Sequence, residues 1–384
     1  MPVSVSPPRP RLVQIDLLRG LVMLLMLLDH VRETFFLHVQ MADPVDIDQV
    51  PPLLFGFRLL AHLCAPVFVF LTGLSAWLYG QRQGNPRAAT AAFLFKRGLF
   101  LVLLEVTLVN FAWTFEFPPQ TLYLQVIWAI GLSMLALSAL LWLPRPVLAA
   151  LGLALVAGHN LLDGVRVDGA WSGVWAVLHQ RAWLEPIEGL RVRTSYPVLP
   201  WIGVIALGYA AGPWFAAGFD AVRRQRRLLA WGVGALAAFA VLRLVNGYGD
   251  APWRLGEDGL RTAMSLVNVT KYPPSLLFLC LTLGVGLLLL RLFERPTLAR
   301  RLAPVATYGA APMFFYLLHL YVLKLLYLAA VAVWGHNQGA VFGFGAPAWL
   351  LPVAAALALA LYPAVRGFAA LKARRRDWAW LRYF

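Results

Sequence analysis

The chain has 384 residues, of which 60% are hydrophobic and 13% charged. A soluble domain carries about 25% charged residues, so this composition, with a mean hydropathy of +0.70, excludes an ordinary soluble globule and predicts an integral membrane protein. The net charge of +15 does not indicate nucleic-acid binding, because the basic residues fall in short segments between apolar runs, which is a topology signal.

At about 20 apolar residues per crossing, the sequence predicts an all-α, polytopic transmembrane helical bundle of about ten spans. It reads as a single integral membrane domain over 1–384. The spans are expected near 17–37, 53–80, 91–115, 120–142, 146–163, 197–217, 228–246, 273–292, 306–334 and 348–370. Arg9 and Arg11 precede the first apolar run, and no small-residue cleavage site follows it. The run is therefore read as a retained helix. Charge then sets the orientation. Arg82, Arg87, Arg145, the Arg223–Arg227 run, Arg291, Arg295, Arg300, Arg301 and the tail from Arg366 to Arg376 all fall on the side of the N-terminus. Most of the acids, including Asp43, Asp46, Asp48, Asp163 and Asp168, fall on the other. Both termini are thus expected in the cytoplasm, with Gly84 inside and Asp46 and Asp168 outside.

The longest outer loop, about 164–196, carries Trp171, Trp175 and Trp183. It is expected to form a helix lying at the membrane surface, either capping a site or anchoring the interface. Pro66, Pro200 and Pro312 interrupt apolar runs and are expected to kink their helices. Cys64 and Cys280 both lie in apolar runs, with no disulfide framework or zinc spacing. No metal is expected.

Ionisable residues inside membrane helices are costly and mark functional paths. Arg19 and His30 lie about 20° apart around the first span and roughly 16 Å apart along it. His62 on the second span sits at a matching depth, so His30 and His62 are expected to face a common cavity. Glu105, His319 and Lys324 complete the intramembrane set, and His38 follows the first span. Each has a structural alternative. Glu105 can pair with Lys324 or a histidine, Arg19 with Asp16, and His319 can be an interhelical hydrogen bond. Asp29 is expected to meet Arg32. Lys271 can bind an anionic or sugar ligand, or sit at the headgroups.

The runs LLRGLVMLLMLLDHVR, AHLCAPVFVFLTG, YPVLPWIGVIALGYAAG and NVTKYPPSLLFL resemble bacterial relatives of the heparan-alpha-glucosaminide N-acetyltransferase catalytic domain. The Arg-x10-His spacing from Arg19 to His30 is also similar to the motif of broader membrane acyltransferases that modify surface glycans. The resemblance implies a multi-span enzyme that moves an acyl group from cytoplasmic acyl-CoA to a sugar across the membrane. It implies His30 as the essential histidine and Arg19 on the donor side. In the heparan-type enzymes the position of His30 resembles an asparagine, and their catalytic histidine lies after the first span, where His38 is the nearest residue here. The aspartate of their second-span Ala-Asp pair corresponds to His62.

The sequence therefore predicts an acyl-CoA-dependent transmembrane acyltransferase of the bacterial inner membrane. The donor is expected to be acetyl-CoA or another acyl-CoA, and the acceptor an amine or hydroxyl of an envelope glycan or small molecule. The general base is expected among His30, His62 and His38, with an acyl-histidine route open. The other expected partner is the lipid bilayer, with homo-oligomerisation left open. The rival readings are a transporter or flippase that uses the same polar residues as a proton or ion path, and a non-catalytic envelope assembly partner.

Overall fold

The computed structural model describes residues 12–81, 86–375 and 377–384. Arg9, Arg11, Arg82, Gly84 and Arg376 of the charge pattern lie outside the described residues.

The chain is mostly helical. In order it forms α1 (Val13–Phe35), α2 (Pro52–Ala61), α3 (Cys64–Gly80), α4 (Pro86–Leu104), a π-turn (Glu105–Val109), α5 (Asn110–Thr114), β1 (Thr121–Leu124), α6 (Val126–Leu140) and α7 (Arg145–Gly158). There follow α8 (Ser172–Leu178), β2 (Trp183–Ile187), β3 (Leu190–Thr194), α9 (Leu199–Ala211), α10 (Ala221–Val245) and α11 (Gly259–Val267). The last are α12 (Leu276–Leu292), α13 (Pro296–Arg301), α14 (Ala303–Ala310), α15 (Pro312–Trp334) and α16 (Leu350–Arg374).

Five helical segments are long and apolar enough to cross a membrane: Pro52–Gly80, Arg145–Leu162, Ala221–Val245, Pro312–Trp334 and Pro347–Arg374. Shorter apolar helices, including α6, α9 and α12, pack among them. The helix α1 carries Asp16, Arg19, Asp29, Arg32 and Glu33. Most of its ionisable residues are buried by neighbours: Asp16, Asp29, His30 and Arg32 are each under 10% exposed, while Arg19 and Glu33 are partly exposed.

Two expectations about local structure are corrected. The prolines do not kink helix interiors. Pro66, Pro200 and Pro312 each sit in the first turn of a new helix, α3, α9 and α15, where a missing N–H costs nothing. The second expected span breaks at His62–Leu63, and the ninth at Ala311. The outer loop is helical over only part of the expected stretch, and Trp183 lies in a strand. It holds only the short α8, followed by a hairpin that joins a three-stranded sheet in the order β1-β3-β2. β1 pairs with β3 in parallel, Thr121 opposite Arg191 and Leu124 opposite Thr194. The start of the span expected at 120–142 is thus a strand. Asn110 holds it from the start of α5: its Nδ2 donates to Thr121 O at 2.9 Å, and its Oδ1 accepts from Tyr123 N at 3.0 Å.

The helices close on one another through glycine. Lipid supplies no hydrophobic drive between helices, so close backbone packing must hold them. A Cβ on Gly20 would stand 1.9 Å from Val305 O, and one on Gly309 1.8 Å from Asp16 O. This is the crossing of α1 with α14. Gly73 and Gly208 do the same for α3 and α9, each with a carbonyl at 2.0 Å. Gly98 and Gly131, Gly152 and Gly203, and Gly232 and Gly284 meet at three further crossings.

Candidate functional site

The site grows from α1. His30 is buried and its Nδ1 lies 2.7 Å from Nε2 of His319 on α15. His319 Nδ1 lies 2.6 Å from the carbonyl of Phe315, one turn earlier. A carbonyl only accepts, so His319 Nδ1 carries the proton and its Nε2, in the neutral ring, is an acceptor. His30 Nδ1 must then donate. That leaves the lone pair of the His30 ring on Nε2. The two rings stack with centroids 5.0 Å apart. Trp113 and Tyr316 meet the His30 ring edge-on, at 5.1 and 6.0 Å. Trp113 Nε1 and Tyr316 Oη are both buried and meet no hydrogen-bonding side chain other than each other.

The ring partners of His30 are His319, Trp113 and Tyr316. His62 instead sits at the break between α2 and α3, packed on Phe278 at 5.1 Å. Both of its ring nitrogens are buried and unpaired. Pro66 explains the break, because it has no N–H to offer the His62 carbonyl four residues earlier.

A charged cluster adjoins both histidines. Arg32 donates to Asp29 at 3.0 Å, as the sequence spacing leads one to expect. Arg58 lies 4.0 Å from Asp29 and 3.7 Å from Asp43. Asp43 accepts from the backbone N–H groups of Lys271 and Tyr272. Lys271 is 4% exposed, so it is not a headgroup anchor. It lies within electrostatic range of Asp29, His30 and His62. Its Nζ stands 5.2 Å from the Tyr272 ring and 6.0 Å from that of Tyr196. Arg181, in the loop before β2, lies over Tyr272 at 4.9 Å, so this loop covers the cluster. Burial, together with neighbouring Tyr272, pushes the Tyr196 phenol up.

The remaining sequence candidates separate. Arg19 bonds Ser75 on α3 and lies 3.6 Å from Asp16. Arg97 on α4 is within its electrostatic range. Glu105 does not pair with Lys324. It starts the π-turn and accepts from Trp128 N at 2.9 Å, capping α6, with Oε1 left unpaired. Lys324 donates to Trp113 O at 3.0 Å. His38 lies past α1, packed on Phe36 at 4.4 Å and against Gly343. Asn268 spends its side-chain amide on both backbone groups of Val45.

Sequence reasoning missed Trp113 and Tyr316. The signal was available for Tyr316, which precedes His319 by three and so shares its helix face. Trp113 is brought in by the π-turn, which shifts the register of everything after Glu105.

No curated protein matches the chain. The family model described as the catalytic domain of heparan-alpha-glucosaminide N-acetyltransferase matches residues 11–241. That stretch holds Arg19, His30, His38, His62 and Glu105, while Lys271, His319 and Lys324 lie beyond it. It covers more than half of the chain, which accordingly belongs to the heparan-alpha-glucosaminide N-acetyltransferase catalytic family.

Proposed function

We propose that this protein is a transmembrane acetyltransferase of a bacterial inner membrane. Its single domain crosses the bilayer about ten times, with both termini in the cytoplasm. Cytoplasmic acyl-CoA, with acetyl as the acyl group, is the donor. An amine or hydroxyl of an envelope glycan on the far side is the acceptor.

The observation that carries this reading is the chain from His30 through His319 to the Phe315 carbonyl. It leaves His30 Nε2 as a proton acceptor on a ring held by His319, Trp113 and Tyr316, which is what a general base needs. Family membership supplies the reaction class. In the proposed step, the acceptor nitrogen or oxygen attacks the thioester carbonyl and His30 Nε2 takes its proton. The C–S bond breaks, and the CoA thiolate leaves and takes up that proton. Trp113 Nε1–H and Tyr316 Oη–H are buried donors beside the His30 ring that stabilise the developing oxyanion. Arg19 and Arg97 meet the donor phosphates at the other end of α1. Lys271, Tyr196, Tyr272 and Arg181 bound the acceptor side, with His62 next to them. The same Nε2 can also attack the thioester itself and carry the acyl group.

The test is transfer from labelled acetyl-CoA in membranes, normalised to folded protein. His30→Ala is expected to lower turnover by about 10²–10⁴-fold, with donor binding kept. Arg19→Ala is expected to raise the donor KM with a smaller effect on kcat. Wild-type turnover in His30→Ala overturns the mechanism and makes His38 and His62 the residues to test. A single turnover without acceptor separates the routes, since only the acyl-histidine route leaves label on the protein. No transfer from any acyl-CoA favours the transporter reading.

A further inference from the structure

A second cluster of side chains lies apart from His30. The helix α7 ends in a 3-10 turn, His159–Leu162. This turn and the end of α8 bring His159, Asp163 and His179 together. One ring nitrogen or carboxylate oxygen from each lies within 4.8 Å of those of the other two. His159 is 2% exposed, and both of its ring nitrogens are buried without a partner. A buried polar group left unsatisfied costs about 1–3 kcal/mol and calls for an explanation. An ion pair between His179 and Asp163, 3.6 Å apart, leaves both nitrogens of His159 unpaired.

The surroundings are those of a ligand set. Asn160 Nδ2 donates to Asp163 Oδ2 at 2.9 Å, which turns Oδ1 towards His179. Trp175 stacks on the His179 ring at 5.3 Å and limits its rotation. The Asp163 side chain is 50% exposed, which gives an ion access from water.

We propose that His159, Asp163 and His179 bind a divalent transition-metal ion of the zinc class, with water as the fourth ligand. Two imidazoles and one carboxylate suit such an ion. Calcium would need six or more oxygens and magnesium an octahedral shell rich in oxygen. Bonds of about 2.1 Å place tetrahedral ligands about 3.4 Å apart, so the three side chains must draw together. His179 Nε2 reaches the ion by giving up the His159 carbonyl, now 2.9 Å away. The ion would fasten the end of α7 to the loop that carries Arg181 over Tyr272.

The experiment uses the full-length protein without a polyhistidine tag, in detergent, stripped with a chelator. Zn2+ is titrated against a chromophoric competitor, and Co2+ loading is followed by visible absorption. One equivalent of Zn2+ is expected to bind, with the intense Co2+ bands of a four-coordinate site. Asp163→Asn and His179→Gln are each expected to weaken binding by more than about 100-fold, and Asn160→Ala by about 10–100-fold. Zn2+ is expected to raise the thermal midpoint of the wild type and not of Asp163→Asn. Asp163 is half exposed, so that variant carries the test if a His159 variant does not fold. No uptake by the wild type at millimolar Zn2+ overturns the proposal. So does unchanged binding in Asp163→Asn and His179→Gln.

Discussion

The residue whose reading changes most is His319. From sequence it is one buried histidine on an apolar helix, and an interhelical hydrogen bond is a sufficient account of it. Its bonds to His30 and to the Phe315 carbonyl make that hydrogen bond a device that selects a tautomer. His319→Ala is therefore expected to lower kcat on the order of 10²-fold, the lower end of a general-base contribution, with the donor KM unchanged. His319→Gln offers an amide oxygen to His30 Nδ1 and is expected to recover part of that loss. A purely structural role predicts equal specific activity in both variants once folded protein is counted. Contacts within one helix turn were legible: Asp16 with Arg19 and Asp29 with Arg32 are both three residues apart. The His30–His319 pair was not, because 289 residues separate its members and one sequence carries no pairing information at that range. The two histidines of the proposed metal cluster are only 20 apart, but a turn and a loop stand between them and no metal-ligand spacing results.

At the scale of the element, helix existence was legible from apolar runs, and helix ends were not. At His62 and Ala311 a run containing proline is two helices, whereas α16 runs through Pro363 unbroken. The sheet had a signal that was passed over. Glu188-Gly189 is a two-residue turn between strand-like runs, and Gly189 has φ +79°, as hairpin turns require. Glu105 is a capping residue supplied by another helix, so Glu105→Ala is expected to destabilise the protein by about 1–2 kcal/mol. Glu105→Gln keeps an oxygen for Trp128 N and is expected to lose less. Thermal unfolding in detergent distinguishes them; equal losses would argue against the cap. The glycine crossings make a stronger prediction. Gly208→Val puts side-chain atoms where the Phe70 carbonyl stands, 2.0 Å from the Cβ position. The expected cost is at least about 1–3 kcal/mol. Gly234→Ala, with nothing within 4 Å, is the control and is expected to be neutral.

For the whole molecule, charge is the main guide to orientation. The end of the bundle that carries the sheet also carries Asp43, Asp163, Lys271 and the proposed metal cluster. The opposite end carries the Arg223–Arg227 run, with Arg224 bonded to Glu294. Cysteines placed at the exposed positions 168 and 226 test the direction of transfer. A membrane-impermeant maleimide applied to intact cells is expected to modify Asp168→Cys and to spare Arg226→Cys. The reverse result inverts the bundle and removes the cytoplasmic donor from the end that holds Arg19.

The bond between α1 and α15 also has a cost in time. Helix α1 is made first, yet His30 and the face of Gly20 wait for α14 and α15. At about 5–20 residues per second, the 289 residues between His30 and His319 take roughly 15–60 s to synthesise. Throughout that interval a helix bearing Asp16, Arg19, Asp29, His30 and Arg32 has left the ribosome without its final neighbours. Newly made chains that stall before α14 would present that charged face to lipid or to the insertion machinery. They are the species a membrane quality-control protease should remove first.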